Sequence, residues 1–248
     1  MRTNMWRVRS SSLTPTRTLP TRLAMGLAAG MLALGCAAAV RADEVAKTFT
    51  VSGHARVSIE TDDGAVRVST GDIKQVEVRI VYSGYKVDRD LRISTEQNGD
   101  SVSIAAKTSG GNFWSWGVRH TSLRVEVHMP KDADLTVKSG DGHIDLEGRF
   151  DGLNIHTGDG SVTARAGQGS KVASGWTIHT GDGSVDLEVP GDLKANLDAS
   201  THDGHISLGL QVTVEGTFSS SRIHGTLNGG GQPLTIATGD GSIHLSKT

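Results

Sequence analysis

Aspartates that recur at the centre of a short glycine-containing turn are the residues of this sequence best placed to do chemistry. The turn reads TDDGA, SGDGH, TGDGS, TGDGS, THDGH and TGDGS in its successive copies. The central aspartates are Asp63, Asp141, Asp159, Asp182, Asp203 and Asp240. Repeated Gly and Asp turns bind calcium in nonapeptide β-rolls, but each copy here supplies one carboxylate, and Ca²⁺ needs about six to eight oxygen ligands. We therefore interpret the repeated Asp as a turn former.

A pair of carboxylates raises the possibility of a polysaccharide-active enzyme, since glycosidases use two carboxylates that flank the scissile bond. Asp145 and Asp186 each stand four residues after a turn Asp. Thr163 takes that position in the intervening copy, so strands about 4.8 Å apart would separate the two carboxylates by about 10 Å. Neither has an obvious basic partner in the sequence. This spacing disfavours an enzyme.

Histidines at two positions of the repeat raise the possibility of a metal site. His143 and His205 stand two residues after a turn Asp, and His156 and His179 stand three residues before one. Imidazoles on one face can approach a metal ion, but serines interrupt the first of these columns. The sequence contains no HExxH motif, nucleophile elbow or phosphate-binding Gly-Lys loop. We therefore predict no catalytic residue, no metal site and no cofactor.

Aromatic residues cluster in one glycine-flanked segment, GGNFWSWG. Phe113, Trp114 and Trp116 make up three of the nine aromatic residues that follow residue 42. Tryptophan offers a large contact area together with a polar N–H group. Two interpretations stay open. The segment is either a hydrophobic plug over one end of the fold or a contact loop for a glycan, a membrane interface or a partner protein.

The residues that flank each turn predict the elements that carry these side chains. Apolar residues stand six and four residues before the turn Asp and three and five residues after it. Alternation with period two predicts a half-buried strand on each side. A hydroxyl residue two positions before the Asp should face inward and satisfy backbone groups of the turn, and the Gly after the Asp should tolerate positive φ. Arg222 takes the Asp position of a degenerate copy that includes Ser220.

Copies this short cannot bury an apolar face alone, so neighbouring copies must stack. We predict an all-β fold in which residues 131–248 form a repetitive β-solenoid, of the β-helix or β-roll type. Residues 43–130 form longer antiparallel strands, with a hairpin at Asn98-Gly99, that continue or cap the solenoid. Lys247 and the Gly229 to Gly231 run are expected to help cover open ends.

The first 42 residues resemble a secretory signal. They carry six arginines and no acid, and an apolar run extends from Leu23 to Val40. Cleavage before Asp43 would give a periplasmic, envelope or secreted protein. The alternative is a membrane lipoprotein anchored at Cys36, because Ala33-Leu34-Gly35-Cys36 is similar to a bacterial lipoprotein box.

Removal of residues 1–42 makes the chain acidic. It then carries 19 Lys and Arg against 27 Asp and Glu, a net charge of −8 with neutral histidines. This charge disfavours binding to nucleic acid. Cys36 is the one cysteine of the sequence, so cleavage before Asp43 would also exclude disulfides and thiolate metal sites.

The stretch VEVHMPKDADLTVKSGDGHIDLEG and the copies that follow it resemble a family of bacterial envelope proteins catalogued as candidate adhesins, with a β-strand-repeat domain of unknown function. The resemblance covers most of residues 45–248 and implies an exported β-solenoid-like protein, but no functional residues. We expect a non-enzymatic adhesin or envelope scaffold whose partner is an envelope protein or a glycan. The alternative is an envelope element that self-associates end to end.

Overall fold

The computed structural model describes residues 42–109 and 121–248, with residues 214–218 described by their backbone alone, and these residues form 19 strands in two sheets. In spatial order, sheet A contains β1 (Asp43–Thr50), β4 (Gln75–Ser83), β7 (Ser122–Pro130), β3 (Ala65–Gly71), β9 (Ile144–Gly148), β11 (Val162–Ala166), β13 (Val185–Val189), β19 (Ile243–Lys247) and β15 (Ile206–Gly209). Sheet B contains β16 (Thr213–Phe218), β17 (Arg222–Leu227), β14 (Ala195–Thr201), β18 (Pro233–Thr238), β12 (Trp176–Thr180), β10 (Phe150–Thr157), β8 (Ala133–Ser139), β2 (Arg56–Thr61), β6 (Ser101–Thr108) and β5 (Leu91–Asn98). The all-β prediction is confirmed.

Each Asp-Gly turn joins a strand of sheet B to the next strand of sheet A, and we call such a pair of strands a rung. Neighbouring rungs are parallel and in register, so that Ile155 lies beside Ile178, which lies beside Ile236. All three side chains are fully buried between the sheets. Burial of one such side chain contributes about 1.5–3 kcal/mol, and these aliphatic ladders are the main source of stability.

The order of the rungs in space differs from their order in the chain. The last rung, β18–β19, lies between β12–β13 and β14–β15. The last rung in the chain is therefore an internal rung of the stack. As a result, the turn of Asp240 lies next to the turn of Asp182. Because β19 is inside sheet A, Lys247 does not cover an open end as expected.

The N-terminal strands extend the same two sheets. Strands β6 and β7 pair in parallel with β2 and β3, and β4 and β5 add to them in antiparallel fashion. The predicted hairpin at Asn98-Gly99 is confirmed, and Gly99 has a φ of 58°. Strand β1 forms the outer edge of sheet A at this end of the stack.

The degenerate copy around Arg222 is not a rung. Strands β16 and β17 form an antiparallel hairpin that lies wholly within sheet B, beyond β14. Ser220 lies in its turn and is exposed, unlike the inward hydroxyl residues of the true copies. Glycines at two of its four apolar positions leave this segment without the side chains that would span both sheets. The prediction of a seventh stacked copy is therefore wrong.

Candidate functional site

The Asp-Gly turns lie above one another along one side of the stack, which we call the turn edge. Inside it runs a column of buried hydroxyl residues, the hydroxyl column. Its members in spatial order are Thr61, Ser139, Thr157, Thr180, Thr238 and Thr201. Thr180 accepts a hydrogen bond from the N–H of Gly183 in its own turn at 3.2 Å and donates to the carbonyl of Gly160 in the neighbouring rung at 2.9 Å. Thr238 and Thr201 repeat this arrangement. Thr157 also donates to the carbonyl of Gly140 in the neighbouring rung, whereas the hydroxyls of Thr61 and Ser139 have no hydrogen-bond partner among the described residues. The predicted structural role is therefore confirmed for four of the six hydroxyls.

The glycine after each turn Asp is required by close stacking and not by its φ angle. None of these glycines has positive φ. A Cβ atom added to Gly183 would lie 2.2 Å from the carbonyl oxygen of Gly160, and one added to Gly160 would lie 2.2 Å from that of Gly142. The expected left-handed backbone at this position is therefore wrong. Glycine is required here because the neighbouring rung leaves no room for a Cβ atom.

The turn aspartates form an exposed column along the turn edge, in the order Asp63, Asp141, Asp159, Asp182, Asp240 and Asp203. Among the described residues, none of these carboxylates makes a hydrogen bond or ion pair within the protein. Within the same residues, no group of three or more His, Cys, Asp or Glu side chains is arranged to hold a metal ion. Each rung adds one carboxylate to the column.

The outer face of sheet A carries a ladder of ion pairs. Arg79 contacts Glu44 at 2.9 Å and Glu126 at 3.1 Å. Hydrogen bonds from Arg79 hold the pKa of Glu44 below its usual value. Exposed pairs of this kind contribute little to stability, because water and salt screen them.

Asp145, one member of the carboxylate pair, belongs to this ladder. Arg67 lies 3.2 Å and Arg165 3.9 Å from its carboxylate, so the expectation that it lacks a basic partner is wrong. Thr163 separates Asp145 from Asp186 in the register, as expected.

The outer face of sheet B carries a row of neutral polar residues, which we call the polar row. In spatial order it contains Ser103, Ser58, Thr136, Asn154, Thr177 and Thr235. Among the described residues, these side chains make no hydrogen bond within the protein. Beside the row, the exposed rings of His156 and His179 stack with centroids 5.1 Å apart and an interplanar angle of 11°.

The polar row ends in a hollow of about 460 Å³. Ser58, Ser103 and Thr136 line it together with Gln97 and Asn98 of the β5–β6 hairpin, and charged residues also line it: Arg56, Glu96 and Asp134. The hairpin supplies one wall because β5 is the edge strand of sheet B. The alternation of side chains along each strand turns this row outward, but the sequence does not reveal that Thr177 and Thr235 are neighbours, since their rungs are far apart in the chain.

On the side opposite the turn edge, a histidine bridges neighbouring strands. His54 Nε2 lies 3.1 Å from Asp134 Oδ2, and His54 Nδ1 lies 3.9 Å from Asp151 Oδ2. Burial raises the pKa of Asp151, the charge of Asp132 raises it further, and His54 opposes the increase. Sequence analysis did not predict this cluster, because His54 lies in the connection before β2 while Asp134 and Asp151 lie at the starts of β8 and β10, far apart in the chain.

The aromatic candidates Phe113, Trp114 and Trp116 lie outside the described residues, as do Cys36 and nearly all of the N-terminal segment. Strand β6 ends and β7 begins at the turn edge, in sheet B and sheet A respectively. The two strand ends that flank the aromatic segment in the chain thus lie at the edge where the rungs have their Asp-Gly turns.

Among solved structures, the fold is similar to that of a candidate cell adhesion protein from Clostridium sporogenes, with a TM-score of 0.63 and 15% identity over 84% of this chain and 100% of that chain. A candidate adhesin from Bacteroides fragilis has a TM-score of 0.30 and 9% identity over 82% of this chain and 97% of that chain. A candidate lipid binding protein from Parabacteroides distasonis has a TM-score of 0.29 and 13% identity over 82% and 96%. No curated protein matches the sequence.

The family model for Toastrack DUF4097 matches residues 54–172 and, a second time, residues 166–246. Together the two matches span the stacked rungs, from the connection before β2 to the last strand of the chain. The chain therefore belongs to the Toastrack DUF4097 family.

Proposed function

We propose that this protein is an exported, non-catalytic binding module of the cell envelope, which holds a partner protein or a glycan against its outer surface as an adhesin or scaffold does. The observation that carries the proposal is the difference between the inner and outer polar residues of the rungs. Most of the hydroxyl column is bonded within the fold, whereas the polar row makes no internal hydrogen bond among the described residues. Unpartnered, regularly spaced donors and acceptors suit contact with another molecule.

The proposal is tested by co-sedimentation of the processed protein with isolated cell envelopes. We expect saturable binding that unlabelled protein competes away. Absence of binding to any envelope fraction would contradict the proposed function. Intact mass, measured in each cell fraction, decides the anchor: a chain that begins at Asp43 is released, and an acylated chain that begins at Cys36 is a lipoprotein.

The aromatic segment is the best single contact in this proposal. Replacement of Trp114 and Trp116 by Ser should weaken envelope binding while the melting temperature is unchanged. Val87→Ser is the matched control, because Val87 is an exposed apolar residue on the neighbouring connection between β4 and β5. A large loss of thermal stability without loss of binding would instead favour the plug.

Self-assembly is the alternative function, and the edge strand β1 disfavours it. Lys47 is exposed and stands midway between Val45 and Phe49, which pack against the core. A charged side chain on an edge strand, Lys above all, opposes the addition of another strand. We expect one species in sedimentation velocity at all concentrations, and growth with concentration would favour assembly.

Polysaccharide cleavage is the remaining alternative. A panel of glycans incubated with the protein should yield no products. Products that disappear in an Asp145→Asn, Asp186→Asn double variant would overturn the non-catalytic proposal.

A further inference from the structure

The outer faces of the two sheets differ in charge at the middle of the stack. On sheet A, strands β11 and β13 present Arg165, Asp186 and Glu188 to solvent. On sheet B, the neighbouring strands β10, β12 and β18 carry no Lys or Arg, and their one acidic residue, Asp151, lies at the start of β10, away from the polar row. The residues of the polar row and the column beside it on these strands are Asn154, His156, Thr177, His179, Thr235 and Ala237. This part of the face therefore suits an uncharged ligand. Charged residues stand directly beyond it, Lys138 beside His156 and Asp198 beside Thr235.

The spacing of the polar row favours a polymer over a compact ligand. Adjacent members stand on adjacent strands, so that one hydroxyl or amide group recurs about every 4.8 Å along the stack. Six strands continue the row without a charged residue, from Ser103 on β6 to Thr235 on β18. A chain of repeating polar units can meet these groups one after another, whereas a small ligand would contact only a few of them.

The hollow at the end of the polar row gives such a chain a place with walls. Its volume of about 460 Å³ lies within the range of small-molecule sites. Gln97 and Asn98 lie beside Ser58 and Ser103 there and add amide groups to the hydroxyls. Arg56, Glu96 and Asp134 also line the hollow, and their charged groups can bond sugar hydroxyls as well. Hydroxyl and amide groups are the natural partners of sugar hydroxyls.

We propose that the polar row, together with the hollow, binds an extended uncharged polysaccharide that lies along the axis of the stack. This inference rests on the proposed binding function and names its ligand class and its site. The exposed rings of His156 and His179 stand beside the polar row, where their ring nitrogens can bond sugar hydroxyls.

Affinity electrophoresis tests this inference. The processed protein is run in native gels that contain an uncharged polysaccharide, such as a β-glucan, a galactomannan or dextran. A gel that contains a polyuronate serves as the charged comparison. At least one uncharged polysaccharide should retard the protein. The double variant Thr177→Val, Thr235→Val removes two hydroxyls without a change of shape and should raise the Kd about tenfold, as expected for two lost hydrogen bonds.

The matched control is Thr163→Val, the same change on the outer face of sheet A, and it should bind as the unchanged protein does. Equal loss in the control, unchanged binding by the double variant, or retardation by the polyuronate alone would each overturn the inference. If no uncharged polysaccharide retards the protein although it sediments with envelopes, the ligand class is wrong while the proposed binding function stands.

Discussion

Strand β12 carries two threonines, three residues apart, with opposite surroundings. Thr180 is fully buried and bonded to glycines of two rungs, and Thr177 is exposed without a partner among the described residues. Strand β18 repeats the pair as Thr238 and Thr235. Since side chains of a strand alternate between its faces, a shift of three residues moves the hydroxyl from the fold to the surface. One residue type thus serves stability in one column and is left without an internal partner in the other.

The largest expected effect comes from a change that forces apart two rungs joined by the hydroxyl column. Gly183→Ala would place a Cβ atom 2.2 Å from the carbonyl oxygen of Gly160, and backbone atoms cannot move apart without separating the rungs. We expect a loss of more than about 3 kcal/mol of stability, measured by urea unfolding, or failure to fold. Gly167→Ala is the control, since its nearest neighbours lie at 3.5 Å and its φ is not positive. Equal stability of the two variants would refute the stacking explanation.

Replacement of each threonine of β12 by valine tests the comparison directly. Thr180→Val leaves the carbonyl of Gly160 and the N–H of Gly183 without their hydroxyl partner inside the turn edge. The expected loss is about 1–3 kcal/mol. Thr177→Val should stay within about 0.5 kcal/mol of the unchanged protein, because it breaks no internal bond. Similar losses in both variants, measured by thermal or urea unfolding, would mean that the outer threonine also belongs to the fold.

The inward position of the hydroxyl column could be predicted from the sequence. Because side chains alternate along a strand, Thr180 must share the inner face with Ile178, and Thr157 must share it with Ile155. The sequence could not predict the order of the rungs. The Asp240 copy pairs with the Asp182 copy through contacts distant in the chain, and every copy carries the same apolar pattern, so the pattern does not distinguish one neighbour from another. The cluster around His54 was not predicted for a related reason, since Asp134 and Asp151 are brought beside His54 by the pairing of strands that are distant in the chain.

A smaller effect is expected from the outward charges of the turn edge. Asp182 lies between Asp159 and Asp240, and two unit charges 4.8 Å apart repel by about 0.9 kcal/mol in water before screening. Asp182→Asn should therefore raise the melting temperature slightly at low salt, and this gain should vanish at high salt. Asp192→Asn is the control, because Asp192 shares a groove with Lys171 and Lys194 and should gain nothing. A gain that persists at high salt would show that repulsion is not its cause.

The smallest expected effect concerns Asp151. This carboxylate is half-buried and lies 3.9 Å from His54, so it is neither fully bonded like the hydroxyl column nor unpartnered like the polar row. Its pKa is raised, so its ionised form is disfavoured in the folded protein, and this penalty applies above the folded pKa. As the pH falls through that pKa toward the unfolded value of about 3.9, the penalty disappears. Asp151→Asn should therefore be slightly more stable than the unchanged protein at neutral pH, and the two stability curves should converge in acid.

Asp100 gives the opposite sign and makes the Asp151 test decisive. The backbone N–H groups of Ser52 and Gly53 lower the pKa of Asp100, so its ionised form adds stability above the unfolded pKa, which is lost as the pH falls through the folded pKa. Asp100→Asn should thus be less stable than the unchanged protein at neutral pH, with the difference vanishing in acid. Urea unfolding across this pH range should show the two variants on opposite sides of the unchanged protein. If both fall on the same side, loss of the side chain's contacts outweighs its titration, and Asp151 belongs with the bonded residues of the fold.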